Sequence, residues 1–344
     1  MTFSTKLLEW YDHHGRHDLP WQTSGEPYQT WVSEIMLQQT RVTTVIPYFE
    51  RFISRFPDIR SLANADIDQV LHHWSGLGYY ARARNLHRAA GMIESEFDGR
   101  FPTAIEDVMR LPGIGRSTAA AILAQSLDQR HAILDGNVKR VLCRYAMIRG
   151  WPGSSETQRR LWTLSEQLTP QSRVRDYTQA VMDLGATLCT RNQPDCPTCP
   201  VNDDCLSYLN DAVAEYPAAK PARKMPVRKT NMLLIRNDKE QICLLQRPST
   251  GLWGGLWSLP EFDGDALDWA RTRLGIRIET WPARPAFRHT FSHFHLDISV
   301  IPAKLARSQD ARVMEADNIV WYNPAGKQEL GLAAPVEKII RGEK

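Results

Sequence analysis

Hydrophobic positions in the first two hundred residues recur every three or four residues, whereas beyond residue 230 they gather into short runs. Ile59, Leu62, Ala63, Ile67, Val70, Leu71 and Trp74 follow the helical period, with a break at the turn-forming Asn64 and Asp66. Val138, Val141, Leu142 and Tyr145 repeat the pattern over a shorter stretch. The opening stretch to Trp10 has no apolar h-region and soon meets Glu9 and Asp12, so it predicts an amphipathic helix rather than a secretory signal. Glycine and proline punctuate the chain at Gly76-Leu-Gly78, Leu111-Pro-Gly-Ile-Gly115 and Gly150-Trp-Pro-Gly153. After Tyr208 the periodicity lapses, and residues 209–229 form a Pro/Ala/Lys-rich segment that predicts a linker. Strands are expected at Asn231–Arg236, Ile242–Arg247 and His295–Ile301, with a helical piece at Asp265–Leu274. The expected architecture is an all-α domain over 1–208, a linker over 209–229 and an α+β domain over 230–344.

Composition narrows this picture without deciding it. No apolar run approaches the roughly 20 residues that span a bilayer. Cys143 and Cys243 stand alone in the sequence, which suits a reducing cytosol or a nucleus. The net charge of +3 is too small to announce a nucleic-acid binder. Residues 1–208 carry 22 Lys+Arg against 23 Asp+Glu, so any DNA contact there must come from local patches. Arg82, Arg84 and Arg88 form one such patch, and Lys139, Arg140, Arg144 and Arg149 another; solvated helix faces are the simpler reading of both.

Four features carry chemistry. Cys189, Cys196, Cys199 and Cys205 form C-x6-C-x2-C-x5-C, a concentration of thiols that points to a metal centre; spacing alone leaves zinc and an iron–sulfur cluster both open. Leu111-Pro-Gly-Ile-Gly115-Arg-Ser117-Thr-Ala119 places two glycines before a helix, where the backbone can approach a phosphate and free N–H groups meet it. Sixteen residues past Ala119, Asp135-Gly-Asn137 introduces another helix, so Asp135 is either an N-cap or a functional acid. Glu34 lies in an apolar helical run with Trp31, Ile35 and Leu37, surroundings that raise a carboxyl pKa toward that of a general acid.

The hairpin, Asp135 and the four cysteines together resemble the helix–hairpin–helix DNA glycosylase superfamily that includes endonuclease III. The resemblance implies a 4Fe–4S cluster on Cys189, Cys196, Cys199 and Cys205, a catalytic Asp135, and DNA-backbone binding around Gly113, Gly115 and Ser117. Endonuclease III-type glycosylase/lyases carry a Schiff-base lysine where this chain has Ser117. The stretch Trp31-Val-Ser-Glu34-Ile-Met-Leu-Gln38-Gln39-Thr40 resembles the signature of MutY-type adenine DNA glycosylases. That resemblance makes Glu34 the second catalytic carboxylate, with Asn137 orienting Asp135 or water, and brings Gln39 and Thr40 to the mismatch. The turn Leu77-Gly78-Tyr79 then becomes a DNA contact, with Tyr79 as a wedge.

Residues 230–344 resemble the Nudix-like domain appended to these glycosylases, and Phe291-Ser292-His293 matches its F-S-H loop, which contacts 8-oxoguanine. Gly255 and Glu261 keep the opening of the Nudix box, but the segment 268–275 lacks the clustered glutamates that hold Mg²⁺. His289 and His295 flank the loop in an alternation that suits a sheet surface. The chain is thus expected to be a monomeric, cytoplasmic, nucleoid-associated enzyme that excises adenine opposite 8-oxoguanine or guanine in double-stranded DNA, without membrane contact. The rival expectations are an endonuclease III-like lyase, a Nudix hydrolase fused to a DNA-binding module, and a non-catalytic DNA binder.

Overall fold

The computed structural model describes residues 1–342 other than 24, 222–223, 307–317, 327 and 329. It divides into two compact units, one built from residues 1–64 with 85–222 and the other from 65–84 with 223–344. Twelve α-helices among the described residues precede the first strand: α1 (Phe3–His14), α2 (Pro27–Leu37), α3 (Val42–Arg55), α4 (Ile59–Ala63), α5 (Ile67–Trp74), α6 (Ala81–Glu96), α7 (Ile105–Arg110), α8 (Arg116–Leu127), α9 (Gly136–Tyr145), α10 (Ser155–Leu168), α11 (Val174–Thr187) and α12 (Leu206–Leu209). The periodic run at 59–74 is two helices, α4 and α5. Asp58 caps the first by accepting the Ser61 N–H, and Asp66 caps the second. One helical core gathers Phe3, Leu7 and Tyr11 of α1, Ala120 and Ala121 of α8, Val138, Val141 and Leu142 of α9, and Tyr177, Val181 and Leu184 of α11. Helix α8 is buried from Ala119 to Ser126, which its Ala-rich composition permits because small side chains let neighbouring helices close in on every side.

The other unit is built on one mixed sheet of eight strands: β1 (Val227–Arg236), β2 (Ile242–Gln246), β3 (Trp257–Ser258), β4 (Glu261–Phe262), β5 (Ile278–Thr280), β6 (Phe287–Thr290), β7 (His295–Leu305) and β8 (Ile319–Tyr322). The pairing β1·β7 is parallel, from Val227 opposite His295 to Arg236 opposite Lys304, and the other strand pairs are antiparallel. Strands β6 and β7 make a hairpin whose four-residue loop, 291–294, is closed by the Phe291 N–H on the Phe294 carbonyl at 2.9 Å. Helix α13 (Ala266–Trp269), a following π-helical turn over Ala270–Leu274, and α14 (Ala334–Arg341) complete the unit. Ala270 and Leu274 cover Leu233, Ile235, Cys243 and Phe262 of the sheet.

Two features depart from the linear reading. Residues 65–84 cluster with the sheet: Tyr80 Oη donates to the Leu332 carbonyl at 3.3 Å, and Trp257 Nε1 donates to Asp68 at 3.2 Å. The segment expected as a linker is ordered at both ends. Tyr216 is buried and its carbonyl accepts from Arg144 Nε at 2.9 Å, while β1 already starts at Val227; residues 222–223 lie outside the described residues.

Candidate active site

Glu34 sits in the last turn of α2, where Trp31, Val32, Ile35 and Met36 are buried around it. Its Oε1 accepts a hydrogen bond from Gln125 Nε2 of α8 at 2.7 Å. Burial pushes the Glu34 carboxyl up to about 7; the Gln125 bond opposes that shift and the charge of Asp135 adds to it. The apolar setting noticed in the sequence is therefore borne by the fold, and Gln125, which carried no sequence signal, is the group that orients the acid.

Asp135 is the N-cap of α9, and its Oδ1 accepts the Val138 N–H at 2.7 Å. Burial raises its pKa, while the Val138 and Asn137 N–H groups and the nearby Arg140 and Lys139 act to lower it. The capping role and a place in the cleft coexist. Glu34 and Asp135, separated by 101 positions in sequence, line a single open cleft of about 910 Å³. Gln39, Thr40, Ser117, Asn137 and Arg191 line it too.

Several cleft residues have structural partners that fix them. Ser117 Oγ accepts the Leu134 N–H at 2.9 Å, so the hydroxyl at the hairpin braces the residue preceding Asp135. Asn137 Oδ1 accepts from Arg140 Nη2 at 2.9 Å, and the same guanidinium donates to the carbonyls of Gly185 at 2.6 Å and Cys189 at 2.7 Å. Gln39 adopts a left-handed backbone (φ 60°) at the exposed turn between α2 and α3. At the hairpin, Gly113 has φ 83° and a Cβ there would lie 2.9 Å from Asn85 Cβ. Gly115, the N-cap of α8, has an ordinary φ and open space where a Cβ would stand, so nothing in the protein itself demands glycine at that position.

The structure spends most of the two basic patches inwards. Arg82 is buried and donates to the Leu77 and Gly78 carbonyls, and Arg84 donates to the Gly254 carbonyl at 2.6 Å. Arg144 is only 4% exposed and donates to the Thr190, Arg191 and Tyr216 carbonyls. These three are backbone-holding arginines, while Arg88 and Arg149 keep the solvated setting that their spacing suggested.

Cys189, Cys196, Cys199 and Cys205 line one small cavity, with Val141, Leu184, Leu188 and Val201 as apolar walls. None forms a disulfide, and Arg144 Nη1 lies 3.3 Å from Cys189 Sγ. Among the described residues no group of three or more His, Cys, Asp or Glu side chains is placed to hold a single metal ion. The acids Asp203 and Asp204 in this loop are both held by Lys6 Nζ of α1, at 2.7 and 2.6 Å.

The remaining sequence-selected residues belong to the sheet-containing unit, apart from the cleft residues. Leu77 is 6% exposed and Tyr79 49%, so of the two only Tyr79 presents its side chain at the surface. Tyr79 has a left-handed backbone (φ 49°) and its ring lies 5.5 Å from the Arg82 guanidinium. Ser292 and His293 are exposed at the tip of the β6–β7 hairpin, with Phe291 half-buried behind them. Glu261, a remnant of the Nudix box, is paired with Arg247 at 2.6 Å. His295 pairs with Thr290 Oγ1 at 3.0 Å, as a sheet-surface residue would.

Comparison with known proteins agrees with both units. Residues 32–167 match a family model described as HhH-GPD superfamily base excision DNA repair protein, and residues 231–342 match one described as NUDIX domain. An adenine DNA glycosylase of Buchnera aphidicola subsp. Acyrthosiphon pisum is 39% identical over 99% of this chain and 97% of its own length. The adenine DNA glycosylase of Mus musculus is 34% identical over 87% of this chain and 70% of its own. A solved thermostable thymine-DNA glycosylase is 25% identical, with a TM-score of 0.54 over 60% of this chain and 95% of that one. Helical glycosylase fold, Nudix-like sheet and near full-length identity together show that the chain belongs to the adenine DNA glycosylase family.

Proposed function

We propose that the protein excises adenine paired with 8-oxoguanine or guanine in double-stranded DNA, hydrolysing the N-glycosidic bond without a lyase step. One observation carries this reading: a carboxyl poised near 7 by burial, Glu34, shares a cleft with a second carboxyl, Asp135, at a helix N-terminus. The Gln125 amide donates to Glu34 Oε1, leaving Oε2 to hold the proton that adenine N7 takes as the bond breaks. Burial pushes the Asp135 carboxyl up, and the backbone N–H groups it accepts at the positive end of α9 oppose that push in favour of the ionised form. It then opposes the positive charge that develops on the sugar, in the manner of the two-carboxylate glycosidases. Asn137 is held by Arg140, and the reading gives it the task of orienting Asp135 or the attacking water.

The absence of a lyase step rests on the same cleft. Ser117 stands at the hairpin position, its hydroxyl engaged with Leu134, and no lysine is among the described residues lining the cleft. Adenine must leave the duplex to reach the cleft, and exposed Tyr79 supplies a wedge for the vacated stack. The open space at Gly115 suits close approach of a DNA phosphate to the α8 N-terminus. Gln39, Thr40, Phe291, Ser292 and His293 are assigned to the mismatch and its opposite base. Cys189, Cys196, Cys199 and Cys205 would hold a 4Fe–4S cluster whose contribution is to brace the loop that bears Arg191. The enzyme is taken to act as a cytoplasmic monomer; among the described residues no helix is long and apolar enough to cross a membrane.

Single-turnover excision on duplexes with A opposite 8-oxoguanine, G, C and T tests the reading. The first two should react much faster than the last two, and equal rates on all four would remove the recognition role of the second unit. Asp135→Asn should abolish release of adenine while mismatch binding survives; joint loss of both would reduce Asp135 to its capping role.

A further inference from the structure

The loop assigned to the opposite base is backed by a ring that no sequence motif singled out. Phe291 lies 5.4 Å from Trp253, 4.6 Å from His289 and 4.6 Å from a stacked Phe294, between ring centroids. Trp253 also meets His289 at 5.8 Å, and the Arg247 guanidinium lies 5.6 Å from its ring. It is 8% exposed although it occupies a turn, and its backbone is left-handed (φ 51°), a conformation that costs a bulky residue energy unless its surroundings fix it. The surroundings do so. Arg247 Nε holds the Leu252 carbonyl at 2.8 Å, and a Cβ on Gly254 would meet the Ser249 carbonyl oxygen at 2.5 Å.

The same turn is tied to the wedge within this unit. The Gly254 carbonyl accepts from Arg84 Nη1 at 2.6 Å. Two residues earlier, Arg82 donates to the Leu77 and Gly78 carbonyls and lies 5.5 Å from the Tyr79 ring. Phe291 packs on Trp253, the neighbouring Gly254 carbonyl is held by Arg84, and the first turn of α6 carries both Arg84 and Arg82, the latter beside Tyr79. Trp253 is buried, and its ring packs on Phe291 and His289 at the base of the loop.

We propose that Trp253 is a positioning residue for opposite-base discrimination, and that Arg84 couples its turn to the Tyr79 wedge. The inference rests on the reading that the 291–293 loop contacts the base opposite adenine. The test uses full-length protein and single-turnover rates with A opposite 8-oxoguanine and A opposite G. Trp253→Leu should lower the ratio of the two rates by about tenfold, with the loss falling mainly on the 8-oxoguanine duplex. Trp253→Phe, which keeps a ring against Phe291, should restore most of the ratio. Arg84→Met should lower the ratio too, and Trp253→Leu combined with Phe291→Ala should be no worse than Phe291→Ala alone, because both act through one contact.

An unchanged ratio in Trp253→Leu, alongside a ratio lost in Phe291→Ala, would overturn the inference and leave the underlying reading intact. Equal losses on both duplexes without rescue by Trp253→Phe would also overturn it, as a general folding defect. A wild-type enzyme indifferent to the two duplexes would instead remove the reading itself and the inference with it.

Discussion

Glu34 shows how a single side chain makes a testable claim about pH. Its carboxyl titrates near 7 in the folded protein, because burial disfavours the charged form. In the proposed role of general acid it must be protonated, so excision should slow as pH rises through about 7 in single-turnover measurements. The stability consequence has the same sign. A carboxyl whose pKa is raised on folding contributes stability that is fully present below its unfolded pKa and is lost as pH rises through the folded one. Glu34→Gln should therefore release no adenine, yet at pH 8 it should melt above the wild type, by about 1–3 kcal/mol in unfolding free energy. Near pH 4 the two proteins should converge. A wild-type rate that climbs from pH 7 to 9 would deny Glu34 the acid role. The residue itself was legible, because a lone acid among Trp31, Ile35 and Leu37 breaks the apolar pattern. Its partner Gln125 was not, since an amide in the Ala-rich α8 is also read as an exposed position until the packing of α2 on α8 is known.

At the scale of elements, the helices that position the site were visible in the period of their apolar residues, and their mutual fit was not. Asp135 is placed by α9, and α9 is placed by its approach to α11. The two helices come close at Gly185, where a Cβ would come within 2.7 Å of Asn137 Cβ and 3.2 Å of its Cα. Because the second distance is to backbone, a side chain there must push the start of α9 rather than rotate one rotamer. Gly185→Ala should destabilise the fold by about 1–3 kcal/mol, and should lower the excision rate more than it weakens DNA binding. Binding lost in step with rate would place the effect on the DNA face instead. Short strands were missed for a related reason. Trp257–Ser258 and Glu261–Phe262 are two residues each, too short for any alternation, and they exist only because β2 and β1 offer them partners. The long strands β1 and β7, buried along alternate or continuous positions, declared themselves.

For the whole molecule, charge is where sequence and structure part most. Forty-two basic residues against 39 acidic ones leave little net attraction for DNA, and the arginines that looked available are mostly turned to backbone carbonyls. Lys6 is likewise committed to Asp203 and Asp204, which neutralises the acids of the cysteine loop without adding positive charge. Sequence could not reveal this, because a guanidinium bonding a carbonyl and one facing solvent occupy the same helical positions. Exposed side chains such as Arg191, Arg41 and Arg88 face the phosphates together with neutral N–H groups at the hairpin and the α8 N-terminus. Neutral donors hold a phosphate without replacing its condensed cations, so they contribute little to counterion release. The logarithm of the association constant should then fall with the logarithm of salt concentration at a slope no steeper than about −4, corresponding to roughly four neutralised phosphates. Arg191→Ala should make that slope shallower by about 1 and weaken matched and mismatched duplexes alike, as measured by fluorescence anisotropy across 50–200 mM salt. A slope near −8 would mean that arginines now bonded inwards swing out to meet DNA, and that the basic patches act after all.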